Sequence, residues 1–277
     1  MKRNTIRRYI EHILFCGMLL HASNAFAVTE KAVPDSQQVA ADVKVAATVT
    51  KAQADSAYAH EDYEAAAAIY EQLISENGES AQVYFNLGNA YYRQDKMAKA
   101  ILNYERASLF DPGDRDIRFN LDMARSKTID KIVPESEMFF VTTFRSLVLS
   151  MSVGSWAWLA IAAFILMLAG IGVYLFVPEL WAQKTGFVAA LLLLIVCVFA
   201  NVAAYQQLRQ IEQRTGAIIM APSVVVKSTP SDSGTDLFIL HEGTRVRVVD
   251  DSMRDWCEIR MADGKEGWMQ KSKMEVI

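Results

Sequence analysis

Histidine is scarce and dispersed. The four are His12, His21, His60 and His241. No pair has the H-x-x-x-H or H-E-x-x-H spacing that sets two imidazoles on one helix face around a metal. There is no G-x-S-x-G turn and no glycine-rich phosphate loop, and the carboxylates are scattered. Metal-assisted hydrolysis, serine-nucleophile chemistry and phosphoryl transfer therefore have no motif, so neither an enzyme nor a cofactor is expected. Cysteine is equally short. Cys16 and Cys197 lie in apolar runs, which leaves Cys257 alone and excludes a disulfide framework and a cysteine zinc site. A dense basic stripe is also missing. Lys plus Arg total 28 against 32 Asp plus Glu, so no nucleic-acid partner is expected. With 52% hydrophobic residues in 277, the chain is too apolar to be disordered.

What is present is uneven. Residues 1–27 carry Lys2, Arg3, Arg7 and Arg8, then a short apolar stretch, then Ala25 and Ala27 in an A-x-A arrangement. This is the pattern of a cleaved export signal, and the stretch is too short to span a bilayer. Residues 147–177 hold no charge, and a second charge-free run begins at Thr185. These predict transmembrane helices at 147–177 and 185–205, each long enough for the apolar core of a bilayer at about 30 Å. Residues 178–184 are too few for a domain, so the two form a hairpin. Trp156, Trp158, Tyr174, Trp181 and Tyr205 sit near the expected ends, where interfacial aromatics collect. Ala169, Gly170 and Gly172 permit close helix contact. An exported N-terminus followed by two spans returns the C-terminal segment to the same side. The charge bias of the short loop, Lys184 against Glu179 with Arg145, Arg209 and Arg214 outside, adds little to this.

Residues 81–114 read AQVYFNLGNAYYRQDKMAKAILNYERASLFDPGD. Tyr84, Leu87, Gly88, Tyr91, Ala100, Tyr104, Ala107 and Pro112 occupy the signature positions of a 34-residue helix–turn–helix unit. One period earlier stand Ala54, Ala57, Ala66, Tyr70 and Leu73. One period later the FNL of 85–87 recurs at 119–121. The third unit keeps only its first helix, about 115–126, as an end cap. The pattern resembles the tetratricopeptide repeat and implies an all-α solenoid over residues 47–130. In that family the first helix of each unit lines a concave groove. The resemblance places Gln82, Phe85, Asn86, Asn89, Tyr92, Arg93 and Asn120 in a peptide-binding groove, where Asn89 can bond a peptide backbone in both directions and Arg93 can grip a carboxylate. Lys51, Asn86 and Asn120 resemble part of a carboxylate clamp, but Asp55 stands where such a clamp wants a neutral donor. Residues 28–46 read as a flexible lead-in. Residues 131–146 read as a juxtamembrane linker, with a break near Pro134, Glu135 and Glu137.

Residues 206–216 are polar and rich in glutamine and read as a connector that continues the second span. From 217 the period switches to that of strands. The Asp263-Gly264 pair marks a hairpin turn, and five short strands in the last 60 or so residues predict a small all-β barrel over 217–277. The VVVKSTPS run at 224–231, Gly243 in its EGT turn, Trp256, Gly264, Gly267 and Trp268 resemble the bacterial SH3-like domain. That resemblance implies binding of peptides or cell-wall material. Trp256 is assigned to the core, which sends its neighbour Cys257 to the other face.

The order of parts is an export signal, tetratricopeptide repeats, a two-span hairpin and a terminal SH3-like barrel. It resembles the BatE-type proteins of the Bacteroides aerotolerance group. The resemblance implies a bacterial inner-membrane protein with both soluble modules in the periplasm. It also implies partners among von Willebrand factor A domain membrane proteins and an associated ATPase. The expected function is a membrane scaffold that binds partners through its repeats. The alternative is a cell-wall binding module acting through the SH3-like domain.

Overall fold

Five helices form in the expected register: α1 (Lys51–Ala59), α2 (Tyr63–Asn77), α3 (Ala81–Arg93), α4 (Met97–Phe110) and α5 (Arg115–Ser126). The computed structural model describes residues 49–136 and 138–277. The expected export signal, the lead-in and Glu137 lie outside the described residues. Local chemistry starts the helices. Thr50 and Gln53 form a reciprocal capping box before α1, Asp62 accepts from Ala65 N–H before α2, and Asp114 accepts from Asp116 and Ile117 N–H before α5. The turns inside the first two repeats place a left-handed residue at equivalent positions, Glu61 (φ 63°) and Asp95 (φ 60°). The repeat is therefore a backbone repeat as well as a sequence repeat. Gly88 is required where α3 crosses α4, because a Cβ there would lie 2.6 Å from the Tyr104 ring.

The apolar stretch from residue 147 is not one helix. Helix α6 (Phe139–Val148) occupies much of the expected linker. The chain then turns, and α7 (Val153–Phe176) begins with Ser152 Oγ accepting from Ser155 N–H. The serine cap sets the start that an unbroken apolar run hides. The expected second span and its connector form a single 34-residue helix, α8 (Leu180–Gln213), ended by left-handed Arg214. Small residues line the α7–α8 seam. A Cβ on Gly186 would meet Gly170 O at 2.8 Å, and Ala160, Ala163, Ala200 and Ala203 are buried. Most large apolar side chains point outward instead, with Trp156 the buried exception near the start of α7. The most apolar windows of α7 and α8 are only 11% and 17% buried, unlike core helices of a soluble protein. Both helices are long and apolar enough to cross a membrane.

Seven strands follow rather than five: β1 (Gly216–Ile219), β2 (Ser223–Lys227), β3 (Asp236–His241), β4 (Arg245–Asp250), β5 (Trp256–Arg260), β6 (Glu266–Gln270) and β7 (Met274–Val276). They form one antiparallel sheet in the order β3-β2-β6-β5-β4-β1-β7. The short strands β1 and β7, which pair with each other, account for part of the excess over sequence expectation. The ladder runs from β3 to β7 without a return pairing among the described residues, so a closed barrel is not formed by hydrogen bonds. The assignment of Trp256 is reversed. Cys257 and Ile259 are fully buried in the sheet's core with Val226, Leu240 and Met269, and Trp256 lies on the opposite, outer face. Pairing of Cys257 with Met269 and of Ile259 with Gly267 fixes that register. Burial pushes the Cys257 thiol up to about 11.

The described residues fall in one compact unit. The sheet packs on α4, the second helix of the central repeat, where Ile218 and Ile277 join the repeat core that contains Ile101 and Leu102. Arg106 Nη2 donates to Glu275 (2.9 Å) and to Val276 O (2.6 Å) at the same junction.

Candidate functional site

Helices α1, α3 and α5 are the first helices of their repeats, and one hydrogen-bonded unit recurs along them. Asp55 Oδ1 accepts from Tyr70 Oη–H at 2.6 Å and from Asn86 Nδ2–H at 3.4 Å. One period on, Asn89 Oδ1 accepts from Tyr104 Oη–H at 2.7 Å and from Asn120 Nδ2–H at 2.9 Å. The tyrosine ties the first helix to the second helix of its own repeat. The asparagine ties it to the first helix of the next. Burial, reinforced at Tyr70 by the Asp55 carboxylate, pushes both phenols well above the usual tyrosine range, so they remain donors.

This network decides what is left for a ligand. The Asn89 side-chain oxygen is already used twice, so Asn89 offers its amide N–H donors and not the two-way bonding expected of it. Asn120 retains its own amide oxygen. In the first unit the acceptor is charged. Burial works against ionised Asp55, but hydrogen bonds from Lys51, Tyr70 and Asn86 outweigh it and hold the carboxyl below its ordinary value. Lys51 Nζ lies 2.6 Å from Asp55, which neutralises it and closes off the clamp-like pattern.

The remaining groove residues are less tightly gathered. Phe85 is half-buried with its ring 5.9 Å from that of Tyr104. Tyr92 is covered by Lys127 Nζ, 4.2 Å above its ring. Arg93 is exposed and turned towards the first repeat, with Nε and Nη2 donating to Tyr63 Oη at 3.1 and 2.9 Å. Gln82 is exposed at the start of α3. Asn89 and Asn120 are thus bonded to each other and Asn86 to Asp55 in the unit before, whereas Gln82 and Arg93 stand outside both units. Sequence reasoning missed Lys127 and Tyr63. Neither belongs to the first helix of a repeat, and only packing carries them to it. The sum is a row of N–H donors flanked by the Arg93 and Lys127 cations, which suits peptide carbonyls and carboxylates.

The SH3-like signature divides into two roles. Its glycines are structural. Gly243 (φ 80°) and Gly264 (φ 85°) occupy turns only glycine enters readily, and a Cβ on Gly267 would meet Val226 Cγ1 at 2.5 Å. Its tryptophans face outward. Trp256 pairs across the ladder with Gln270, and Trp268 lies between Glu258 and Lys227, forming a half-buried aromatic face edged by charge.

A third constellation joins the modules and has no sequence signal. Asp130 Oδ2 accepts His241 N–H at 2.8 Å and Thr244 Oγ1–H at 2.6 Å, while Oδ1 lies 2.8 Å from His241 Nδ1. Burial opposes the Asp130 charge, but bonds from Thr244 and His241 hold its pKa below the ordinary value. Among the described residues no group of three or more His, Cys, Asp or Glu is placed to hold a metal ion.

Comparison with known families agrees with this division. Residues 51–115 match the tetratricopeptide repeat family, and residues 222–274 match the bacterial SH3 domain family. The chain joins a tetratricopeptide-repeat module to a bacterial SH3-like module. No curated protein matches it.

Proposed function

We propose that the protein is an inner-membrane adaptor whose repeat groove holds an extended or C-terminal segment of a partner protein, with both modules on the periplasmic side. The observation that carries this reading is the Asn89–Asn120–Tyr104 unit, which fixes spare amide donors on the concave side beside Arg93 and Lys127. Topology is supported by contact between the modules. The chain enters the α7–α8 hairpin after the repeats and leaves it before the sheet, yet the sheet rests on α4. Two crossings reconcile these facts and one does not. The order of modules resembles the BatE-type aerotolerance proteins. That resemblance suggests von Willebrand factor A domain membrane proteins and an ATPase as partners, in a stress-related complex.

A second reading has its own support. The outward turn of Trp256 beside Trp268 gives the SH3-like module an aromatic face fit for sugar rings or peptides, consistent with cell-wall binding. Co-purification from membranes separates the two readings. The Arg93→Ala/Lys127→Ala pair, which leaves the Asn89–Tyr104 bond intact, is expected to lose its partners, since removing polar contacts desolvated in a complex costs about 2–5 kcal/mol. Trp256→Ala/Trp268→Ala is expected to retain them. If the groove variant keeps all partners while the tryptophan variant loses them or stops sedimenting with purified cell wall, the SH3-like face is the binding element.

A further inference from the structure

We propose that α6 is a third membrane element, a helix embedded in the plane of the headgroup–acyl boundary, which holds the soluble body at a set tilt above the bilayer. The proposal rests on the reading of α7–α8 as a membrane hairpin. Its starting point is exposure. Phe139 is 83% and Phe140 64% exposed, and Met138 and Leu147 are exposed beside them. Such a concentration of large apolar side chains on a ten-residue helix needs a cover.

Three observations favour lipid over protein as that cover. The first is continuity. The Phe144 ring meets that of Phe199 on α8 edge-on, with centroids 5.9 Å apart at 90°. Nearby on α8, Ile195, Val198 and Val202 are also exposed. The apolar side of α6 thus passes into the outer surface of the hairpin. The second is charge. No acidic residue occurs from 138 to 178, and Arg145 is the single charged one. The stretch therefore has almost no charge to desolvate at a bilayer boundary. The third is polar satisfaction. Thr142 and Thr143 Oγ1–H both donate to Phe139 O at 2.8 Å, and Ser150 Oγ–H donates to Leu147 O at 2.7 Å. These hydroxyls serve their own backbone and place little demand on water.

The helix is also pinned. Val148 O accepts from Trp156 Nε1–H at 2.9 Å and from Gln207 Nε2–H, and Gln207 reaches Met151 O at 2.7 Å. On the other side of the turn the repeats press in, since a Cβ on Gly113 would meet Ser150 O at 2.5 Å. Hairpin, in-plane helix and repeat loop therefore meet at residues 148–151. A groove held this way presents itself to segments close to the membrane surface.

The test is site-specific photo-crosslinking of the full chain in phosphatidylethanolamine–phosphatidylglycerol vesicles. A diazirine amino acid replaces Phe140, Leu192 or Asp122, one at a time, and lipid adducts are read by mass spectrometry. Positions 140 and 192 are expected to give adducts at comparable yield, about tenfold above position 122, as for a helix seated in the interface. Adducts at 192 with position 140 at the level of 122 would overturn the in-plane helix and leave the hairpin standing. A protein–protein product at 140, to a second copy or another chain, overturns it equally. Loss of adducts at 192 as well removes both the hairpin reading and the proposal built on it.

Discussion

The α3–α4 pair and the α7–α8 pair are both antiparallel helix pairs closed by glycine, yet they are built inside out relative to one another. In the repeat, Gly88 makes room for a buried aromatic, and the Tyr104 hydroxyl inside is anchored by Asn89. In the hairpin, Gly170 and Gly186 bring backbone against backbone, alanines fill the seam, and leucine, isoleucine and phenylalanine face outward. On the membrane reading proposed above, water explains the difference. A pair in water is stabilised by removing large apolar groups from solvent. A pair in lipid gains nothing that way and is held by close packing of small residues.

Six substitutions sharpen this contrast and the junction beside it. The largest effect is expected for Tyr104→Ala, which empties the repeat core and strands Asn89. Deleting a buried aromatic costs about 3–5 kcal/mol, read as loss of cooperative thermal unfolding at the wild-type midpoint in detergent. A comparable loss from Leu192→Ala, on the outward face of the hairpin, would show that the two pairs are not built on opposite principles.

Next is Asp130→Ala, which leaves the buried Thr244 hydroxyl and His241 N–H without their acceptor. A hydrogen bond to a charged group is worth about 1.5–3 kcal/mol, so a loss of at least that size is expected at pH 7. Because the folded-state pKa of Asp130 is depressed, its contribution is present above the ordinary carboxylate value and is lost as pH falls through the folded one. The gap between wild type and variant should close in acid. A gap that persists below the folded-state value would show that Asp130 does not hold the junction as an anion.

Gly88→Leu forces a side chain into the space of the Tyr104 ring, an overpacking expected to cost about 1–3 kcal/mol. An unchanged melting midpoint would mean that α3 and α4 do not cross there. The smallest effect separates two glycines on one helix. A Cβ on Gly170 meets Gly186 O at 3.0 Å, whereas Gly172 has nothing within 4 Å. Gly172→Ala should therefore gain about 0.5–1 kcal/mol in helix stability, while Gly170→Ala should lose stability in unfolding by denaturing detergent. Equal responses would remove Gly170 from the seam.

Much of the architecture was legible in the chain because it follows from local rules. The 34-residue period located α1 to α5, since each signature position recurs against the same neighbour. The charge-free runs located the hairpin, because its outward side chains and inward alanines are all apolar. The helix face that bears the expected groove residues was legible, but the hydrogen bonding on it was not. That Asn89 is an acceptor for Tyr104 and Asn120, and so only a donor to a ligand, depends on side chains 15 and 31 residues away.

By itself the sequence determined the repeat period, the two long apolar stretches, the switch to strands near residue 217, and the small residue where α3 crosses α4. These are matters of periodicity, composition and steric size, which act over a few residues. Tertiary structure alone decided which face of β5 turns inward. Trp256 and Cys257 are adjacent, so either alternation fits the local pattern, and only pairing with β6 and packing on Val226 and Leu240 send Cys257 into the core. It also decided that Asp130 meets His241 across 111 residues, and that the sheet rests on α4. Such contacts carry no local signature, because a carboxylate's partner is set by where folding brings a donor, and not by the residues beside it.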